Sequence, residues 1–556
     1  MILDAKSLSS GSIMQADICI VGAGAAGISM ALALIDSGLK VLVLESGGDD
    51  EEPETQDLYS GEVADELLHS PVNRYRMRRL GGSTTVWGGR CMPFDPIDFE
   101  ARDYLPHSGW PIGYDDLLPY YPRANSLCEA GDFSYTTGTS SFSQPLRPMI
   151  QDFQSENFST DTLERFSCPT NFGQRYRRRL AAADNVHLVL HANVTAITLD
   201  QAGCSVASVS VRTLSGVALE VTARSFVLAT GGLETTRLLL NSPGASGRGL
   251  GNSRDQVGRY YMCHVAGTIG TLRMGDGKQA WHGYEVSDEG IYCRRRLAFK
   301  PAAQQRLGVG NFVARLHHPR MTDPRHRTGI LSLLCLAKFM IPYEYAKRLY
   351  GEERTTWTTW LAHVRNVVFD LSGVLSFLWH WLNDRTLATR KFPSIIVRPK
   401  AQRYSIDFHA EQVPNPDSRV TLIDERDVLG MRKLKVDWRY TAQDIQTVKE
   451  ALAALARDLQ SSGAGTLDYE PQEVEHEMTR YGAYGGHHIG TTRMGLDPAY
   501  SVVDADCKVH EIDNLYIAGS SVFPTSSQAN PTLTIVALAL RLANHLTSKT
   551  PGIHLR

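Results

Sequence analysis

Two adjacent histidines, His487 and His488, stand just before a Gly490-Thr491 turn near the end of the chain. Histidine has the side-chain pKa closest to neutral pH, so it is suited to accept a proton from a reacting group. In an extended segment neighbouring side chains point to opposite faces, so only one of the pair can face a reaction centre. A histidine pair seen alone is more often structural, and the rest of the chain has to decide its role.

The dipeptide Asn530-Pro531 is a second candidate for chemistry. An asparagine amide can orient a nearby oxygen atom by hydrogen bonding while it stays uncharged. Proline is favoured in the first turn of a helix, with asparagine close before it, so the pair also predicts a helix start. The two roles are compatible.

A glycine-rich segment near the N-terminus reads GAGAAG from Gly22 onward and fits the pattern GxGxxG. The apolar run 18–21 before it is typical of a buried parallel strand. A helix-compatible stretch follows and reaches a stop signal at 37–38. A second apolar strand is predicted over 41–44. This order of strand, glycine turn, helix and strand predicts a dinucleotide-binding unit.

The chemistry of that unit assigns a role to each part. Gly22 permits the tight turn, Gly24 lets the backbone approach a pyrophosphate, and Gly27 lets the helix pack closely on the strand. Ala26 completes the loop, and the helix N-terminus offers N–H groups to phosphate oxygens. Glu45 lies about 20 residues further on, where an acid accepts hydrogen bonds from ribose hydroxyls. The motif itself leaves open whether the nucleotide is FAD or NAD.

Composition narrows the class of protein. The chain has 556 residues, 42% hydrophobic and 21% charged, which is typical of a globular protein, and its net charge of -3 gives no support to a nucleic-acid partner. Its nine cysteines are widely spaced with no CxxC pair, so we expect neither a metal site nor a disulfide framework. The start of the chain does not resemble a secretory signal, and we predict a cytoplasmic location.

Two apolar stretches, 329–340 and 366–382, attract attention in a hydropathy profile. Neither reaches the roughly 18 uncharged residues of a membrane-spanning helix. We predict buried or amphipathic helices, with a face that touches a membrane or an apolar substrate as the alternative.

Several blocks resemble the glucose-methanol-choline (GMC) oxidoreductases. RLGGSTTVWGG from Arg79 resembles the family's flavin-contacting loop, and ATGGLETTR from Ala229 resembles a strand-turn-helix of its FAD domain. NPDSRVTL from Asn415 resembles the substrate-domain meander. HHIGTTRMG from His487 and ANPTLT from Ala529 have the order and spacing of the pyranose oxidase-like branch. The resemblance spans both termini and is thin over 278–398.

The resemblance implies an α/β fold, with a Rossmann-like FAD-binding domain of GMC type and an inserted substrate domain made of a mainly antiparallel sheet plus helices. We expect the discontinuous FAD domain over 1–95, 185–270 and 480–556, and the substrate domain over 96–184 and 271–479. The active site should lie where the domains meet.

Local patterns within the inserted pieces add detail. Alternating or clustered apolar residues predict strands over 404–409, 419–423 and 433–439. Residues 441–461 read as an amphipathic helix.

The family resemblance also implies the reaction and the residues that perform it. An alcohol hydroxyl loses a proton, and the carbon loses a hydride to flavin N5. His487 matches the first active-site position and is the predicted base, while Asn530 matches the second and is predicted to orient the substrate oxygen. His488 competes with His487 for the role. Three other histidines lie in less matched sequence and are read as ordinary surface or core residues: His264, His317 and His318.

The predicted cofactor is FAD, held without a covalent bond. Fungal pyranose oxidases attach FAD through a histidine whose position here is taken by Val86. The cofactor-binding candidates, drawn from the fingerprint and the matched blocks, are Gly22, Gly24, Ala26, Gly27, Glu45, Arg79, Gly81, Gly82, Ser83, Thr84, Trp87, Gly88, Val194, Gly231, Gly519, Ser520, Asn530 and Thr532.

The function that this resemblance implies is FAD-dependent oxidation of a CH–OH group in a sugar, glycoside or polyol-like small molecule, with O2 or another compound as electron acceptor. Two alternatives stay open at this point. One is a flavoprotein subunit of a membrane-associated dehydrogenase complex, docked through the apolar segments near Leu331 and Leu375. The other is a GMC-type lyase without net redox chemistry.

Overall fold

The computed structural model of the protein describes residues 1–244, 246–340, 356–394, 396–397, 403–480 and 482–549. In chain order the strands are β1 (Ile2–Asp4), β2 (Ile13–Val21), β3 (Val41–Leu44), β4 (Gly61–Val63), β5 (Arg90–Cys91), β6 (Phe158–Ser159), β7 (Leu163–Phe166), β8 (Val186–Leu190), β9 (Asn193–Leu199), β10 (Val206–Arg212), β11 (Ala218–Leu228), β12 (Met262–Met274), β13 (Glu285–Val286), β14 (Tyr292–Arg295), β15 (Leu297–Phe299), β16 (Phe312–His317), β17 (Arg403–Ala410), β18 (Arg419–Arg426), β19 (Arg432–Asp437), β20 (Gly465–Asp468), β21 (Tyr484–Ile489) and β22 (Leu515–Ile517).

The α-helices are α1 (Ala25–Ala33), α2 (Pro53–Asp57), α3 (Tyr114–Leu117), α4 (Tyr121–Leu127), α5 (Phe172–Ala182), α6 (Gly232–Asn241), α7 (Pro301–Leu307), α8 (Gly329–Leu336), α9 (Trp357–Phe369), α10 (Leu371–Trp381), α11 (Ala442–Ser461), α12 (Val474–Thr479) and α13 (Thr532–Ser548).

The first sheet has the strand order β1-β8-β3-β2-β11-β10-β9, and β22 also pairs with β11. The pairings β1–β8, β8–β3, β3–β2, β2–β11 and β11–β22 are all parallel. The strands β2 and β3 end in continuous buried apolar runs, as parallel strands covered on both faces require. The helices α1, α5 and α13 pack together beside this sheet.

Helix α1 begins as predicted but ends at Ala33, four residues before the stop signal at 37–38. The reason is a contact from a distant part of the chain. The Asn185 side-chain amide donates to the carbonyl groups of Leu34 (2.8 Å) and Leu39 (2.9 Å). These bonds stabilise a turn in which Asp36 has a positive φ of 64°, so the helix ends early.

A second sheet, with the order β20-β12-β17-β16-β15-β6 and β21 paired to β12, is antiparallel throughout. The strands predicted over 404–409, 419–423 and 433–439 are confirmed as β17, β18 and β19. The amphipathic helix predicted over 441–461 is confirmed as α11, which starts after a capping box between Thr441 and Asp444. It covers the second sheet with an apolar face.

The first sheet takes all its strands from the pieces predicted to form the FAD domain. Strand β12 starts inside one of these pieces, at Met262, but belongs to the second sheet. The predicted boundaries stay a prediction, and residues 550–556 of the last piece lie outside the described residues.

The apolar stretches of the thinly matched region form α8, α9 and α10. Helix α8 is largely buried, as predicted. The pair α9–α10 buries His363, Asn366 and Val374 but exposes a broad set of large apolar side chains. They are Trp357, Trp360, Leu361, Val368, Phe369, Leu371, Leu375, Leu378 and Trp379. Within the described ranges no single helix has the length and apolarity to cross a membrane, whereas this pair meets both criteria jointly with a 75° bend.

Candidate active site

Neighbouring strand ends bring the predicted cofactor loops together. Val21 pairs with Leu228, and Leu228 pairs with Ile517, so β2, β11 and β22 end at the same level. Leu44 of β3 pairs with Val21 and joins the row. Beyond these four ends lie the predicted residues Gly22, Glu45, Gly231 and Gly519. Ligands of open parallel sheets bind at this edge.

The three fingerprint glycines differ in what surrounds them. Gly22 has a positive φ of 102°, and a Cβ atom there would lie 2.7 Å from the Ala229 carbonyl oxygen. A Cβ on Gly27 would lie 1.9 Å from the Gly22 carbonyl oxygen. A Cβ on Gly24 would meet no atom of the described chain within 4 Å. Gly22 and Gly27 are therefore required by chain packing, and Gly24 keeps the surface open for a ligand.

Glu45 holds the fingerprint turn. Its carboxylate accepts hydrogen bonds from the Ala23 N–H (2.8 Å) and the Gly47 N–H (2.9 Å). Burial raises the pKa of Glu45, and these hydrogen bonds oppose the rise. The predicted role toward a ribose stays a prediction, while the contact with the turn is an additional role.

The predicted flavin loop lies against the fingerprint. The Gly81 N–H donates to the Ala23 carbonyl group at 2.9 Å, and a Cβ on Gly82 would lie 3.0 Å from the Gly24 Cα. Thr84 is buried, and its hydroxyl accepts from the Phe172 N–H (3.1 Å). These contacts bring two candidate segments, separated by more than 50 residues in the sequence, into one site.

The remaining loop candidates divide into anchored and exposed residues. Trp87 donates its indole N–H to the Thr170 carbonyl group (2.9 Å), and Arg79 interacts with Asp50 (3.4 Å). Ser83 and Gly88 are exposed. Trp87 and Arg79 are therefore held by contacts within the chain, in addition to any contact that they make with the cofactor.

The other candidates lie on β9, after β22 and at the start of α13. Val194 is buried at the start of β9. Ser520 donates its hydroxyl to the His488 carbonyl group (2.7 Å), which ties the β22 end to the histidine segment. Thr532 is the first residue of α13, so the helix start predicted at Asn530-Pro531 is confirmed.

Strand β21 carries both histidines and is irregular where it pairs with β12. Met262 pairs with Ile489, but His264 pairs with Tyr484, so β21 has extra residues between the two pairs. Gly486 has a positive φ of 65° in this bulge. Bulges change the direction of side chains beside active sites, and this one turns His487 toward His264 and Asn530.

His487 and His488 contact different groups. His487 Nδ1 lies 2.7 Å from His264 Nδ1, and His487 Nε2 lies 3.2 Å from Asn530 Nδ2. His488 Nδ1 lies 2.7 Å from the Tyr261 hydroxyl group. The two residues that the sequence predicts as the base and the orienting amide therefore meet, while His488 belongs to another cluster.

The cluster around His488 comprises Tyr261, His69 and Cys263. The ligand atoms of His69, Cys263 and His488 lie within 4.8 Å of one another, as in a possible metal site. The Tyr261 hydroxyl group stands between them, 2.8 Å from His69 Nε2 and 3.3 Å from Cys263 Sγ. Nitrogen–oxygen separations of 2.7–2.8 Å are those of hydrogen bonds. We therefore interpret the cluster as a hydrogen-bond network, and the absence of a metal stays a prediction.

The electrostatic surroundings keep His487 neutral. Burial lowers the pKa of His487 well below its usual range, and the nearby His264 and Arg90 lower it further. A neutral imidazole at neutral pH has a nitrogen lone pair available to accept a proton. His487 is therefore in the protonation state that the predicted base requires.

His264 is the residue at this site that sequence reasoning missed. The sequence predicts an ordinary surface or core histidine, and the structure shows a fully buried residue that contacts His487 directly. Its partner lies 223 residues away in the chain, and no spacing signal joins the two. His317 and His318 pack against each other at a ring separation of 3.9 Å.

The model of a family described as FAD dependent oxidoreductase matches residues 17–335, and that of GMC oxidoreductase matches residues 414–539. The paromamine 6'-oxidase of Streptomyces fradiae is 25% identical over 97% of this chain and 92% of that protein. The 2-methyl-1,2-propanediol dehydrogenase of Mycolicibacterium austroafricanum is 24% identical over 97% and 96%. The crystal structure of pyridoxine 4-oxidase from Mesorbium loti superposes with a TM-score of 0.54 at 19% identity, covering 95% of this chain and 98% of that one.

The fold and the site define an FAD-dependent oxidoreductase, with a Rossmann-like sheet joined to an antiparallel sheet. The chain belongs to the GMC oxidoreductase family. The predicted family, fold class and FAD-dependent oxidation of a CH–OH group are thereby confirmed, and the membrane-complex and lyase alternatives are not favoured.

The site residues fit FAD. A Cβ on Gly24, Gly88, Gly231 or Gly519 would meet no described atom within 4 Å, so this row of glycines leaves backbone accessible. The first turns of α1 and α13 have no side-chain cap. Their N–H groups and dipoles suit the pyrophosphate and an electron-rich ring oxygen.

The contrast between Gly24 and Gly27 generates a prediction. Gly24→Ala should leave the thermal unfolding midpoint unchanged but weaken FAD binding about tenfold or more, because its methyl group would stand where the pyrophosphate approaches. Gly27→Ala should destabilise the protein by about 3 kcal/mol, because its methyl group overlaps the Gly22 carbonyl group. Flavin fluorescence titration and circular dichroism melting measure the two effects. Equal destabilisation by both variants would contradict the interpretation.

Proposed function

We propose that the protein oxidises a CH–OH group of a sugar, glycoside or polyol-like substrate, with His487 as the base and Asn530 as the residue that orients the substrate oxygen. The observation that carries this proposal is the 3.2 Å contact between His487 Nε2 and Asn530 Nδ2 at the sheet edge that fits FAD. The names of two relatives support the substrate class, because one is a paromamine oxidase and the other is a propanediol dehydrogenase.

The two side chains divide the work on the substrate hydroxyl. The hydroxyl group enters between them and donates its proton to His487 Nε2. The Asn530 amide N–H donates to the substrate oxygen and keeps that oxygen in line with the base. Asn530 Oδ1 is buried and has no hydrogen-bond partner within the described part of the chain, so it can accept from a second polar group of the substrate.

FAD, when bound, supplies the redox chemistry by accepting the hydride that leaves the substrate carbon. The fingerprint glycines, Glu45 and the 79–88 loop would hold its two ends. The start of α13 at Thr532 would stabilise negative charge on the reduced ring through its N–H groups.

The electron acceptor is O2 or another compound. The two relatives are named an oxidase and a dehydrogenase, so both acceptor types occur among proteins of similar sequence. Peroxide release measured beside dye reduction distinguishes them. A cytoplasmic location stays a prediction, and the nine free thiols are consistent with a reducing compartment.

The experiment that tests the function is anaerobic mixing of the FAD-loaded protein with D-glucose, methyl glucoside, paromamine, glycerol and 2-methyl-1,2-propanediol. Loss of flavin absorbance with at least one of these alcohols is the expected result. Failure of all five to bleach a flavin that dithionite does reduce would remove the proposed substrate class.

A histidine variant tests the assignment of the base. His487→Ala should retain FAD but slow flavin reduction about 10²- to 10⁴-fold, because no group remains to accept the hydroxyl proton. The matched control is His488→Asn, whose amide keeps a partner for Tyr261, and it should stay close to the wild-type rate. Rapid flavin reduction by His487→Ala would exclude this role.

The attachment of FAD is proposed to be non-covalent. Val86 takes the position of the attaching histidine and is 54% exposed, and a valine side chain has no group that could form the bond. Acid precipitation should leave yellow FAD in the supernatant and a colourless pellet. Flavin that stays in the pellet would show a covalent bond to another residue.

A further inference from the structure

His264 lies on the neighbouring strand β12 and contacts His487, the predicted base. Its ring is fully buried, and its two nitrogens have different partners. Nδ1 lies 2.7 Å from His487 Nδ1, and Nε2 lies 3.2 Å from the Ser526 carbonyl oxygen. His409 stacks on the ring, with centroids 5.7 Å apart and an interplanar angle of 23°. The ring is therefore held on its face and at both nitrogens.

The Ser526 carbonyl group determines the tautomer of His264. A carbonyl oxygen only accepts hydrogen bonds, so His264 Nε2 must carry the proton. In a neutral imidazole the other nitrogen, Nδ1, then has the lone pair. The 2.7 Å contact between the two Nδ1 atoms needs one donor and one acceptor, so His487 Nδ1 must be the donor.

Asn530 is the first member of this series of hydrogen bonds. With its proton on Nδ1, neutral His487 has its lone pair on Nε2. The nitrogen of the Asn530 amide, which can only donate, lies 3.2 Å from that atom. Each hydrogen bond in the series from Asn530 through His487 and His264 to Ser526 therefore has one donor and one acceptor. The reverse arrangement, in which every donor and acceptor is exchanged, is excluded because the Ser526 carbonyl group cannot donate a hydrogen bond.

We propose that His264 is a positioning residue. It holds His487 in the tautomer whose Nε2 lone pair faces Asn530. It also accepts the hydrogen bond that Nδ1–H of His487 donates when the imidazolium forms during the reaction. This inference rests on the proposed function. In the step itself the substrate O–H bond breaks and an N–H bond forms at His487 Nε2. The O–H electron pair becomes the second C–O bond of the carbonyl product, and the C–H pair leaves as a hydride, for which the FAD of the proposed function would be the acceptor. The proton stays on His487, because the series ends at a carbonyl group that passes no proton on.

The surroundings keep His264 neutral. Burial lowers the pKa of His264 to about 4, so at neutral pH the ring has a lone pair on Nδ1 that can accept a hydrogen bond. The other titratable or charged groups that face the two rings are His409, Arg90 and Arg315. The positive charges of Arg90 and Arg315 disfavour protonation of His264, and that of Arg90 also disfavours protonation of His487.

Two substitutions at His264 distinguish a positioning role from a role in packing alone. His264→Asn places an amide oxygen near the position of Nδ1 and keeps an acceptor for His487. His264→Phe keeps the ring volume but has no acceptor. Both variants lose the hydrogen bond to Ser526, so a purely structural role predicts similar losses in the two proteins. The probe is the panel alcohol that bleaches the wild-type flavin fastest, and dithionite reduction verifies that each variant holds FAD.

We expect His264→Phe to slow anaerobic flavin reduction about 10- to 100-fold, which is the range for losing a hydrogen bond to a charged group. We expect His264→Asn to retain most of the wild-type rate. The acid limb of the rate profile should move to lower pH in His264→Phe only, because loss of the acceptor disfavours the imidazolium and lowers the pKa of His487. Equal rates and equal profiles in the two variants would overturn the proposal.

A measurement without any alcohol tests the tautomer directly. In protein labelled with ¹⁵N-histidine, His487 should show the proton on Nδ1 and His264 on Nε2, with the signals identified from the His264→Asn and His487→Ala proteins. A proton on Nε2 of His487 would refute the inference. If the spectrum is as expected but no alcohol reduces the wild-type flavin, the proposed function fails and the tautomer assignment stands.

Discussion

The parallel pairing of β11 with β2 on one side and with β22 on the other is the interaction on which the site depends. It aligns Val21, Leu228 and Ile517 in one row, and Leu44 extends the row through β3. Four chain segments, distant in sequence, therefore leave the sheet at one edge. The glycine at 22 then turns with a positive φ against the Ala229 backbone. Cofactor specificity arises from this edge as a whole, since the fingerprint by itself is shared by FAD and NAD sites.

The proposed reaction centre lies where this sheet meets the antiparallel one. Strand β12 belongs to the second sheet, while β21 pairs with it and continues toward the segment tied to Ser520. A bulge in β21 separates the surroundings of two adjacent histidines. His487 meets an amide and a second imidazole, and His488 meets a tyrosine hydroxyl group. Burial lowers the pKa of both histidines, so their different partners, more than their protonation, distinguish the two.

Sequence reasoning succeeded where the signal is local. The fingerprint and helix α11 follow from spacing within about 20 residues, and the helix start after Asn530 follows from one proline. It failed where a distant side chain decides the outcome. Helix α1 ends early because the Asn185 amide binds the carbonyl groups of Leu34 and Leu39, in the turn that follows the helix. His264 was missed because its role exists only after β12 and β21 pair, and its own neighbourhood carries no motif.

The position of β22 in the sheet has a consequence for how the protein is made. β2 leaves the ribosome early, β11 follows about 200 residues later, and β22 emerges after almost 300 more. Contacts between such remote segments form late in folding, since long loops must close first. A nascent chain can build the dinucleotide turn long before it can complete the sheet edge. We therefore expect cofactor capture to require β22, and a chain that stops before residue 515 would keep the nucleotide fingerprint but lack both β22 and Asn530.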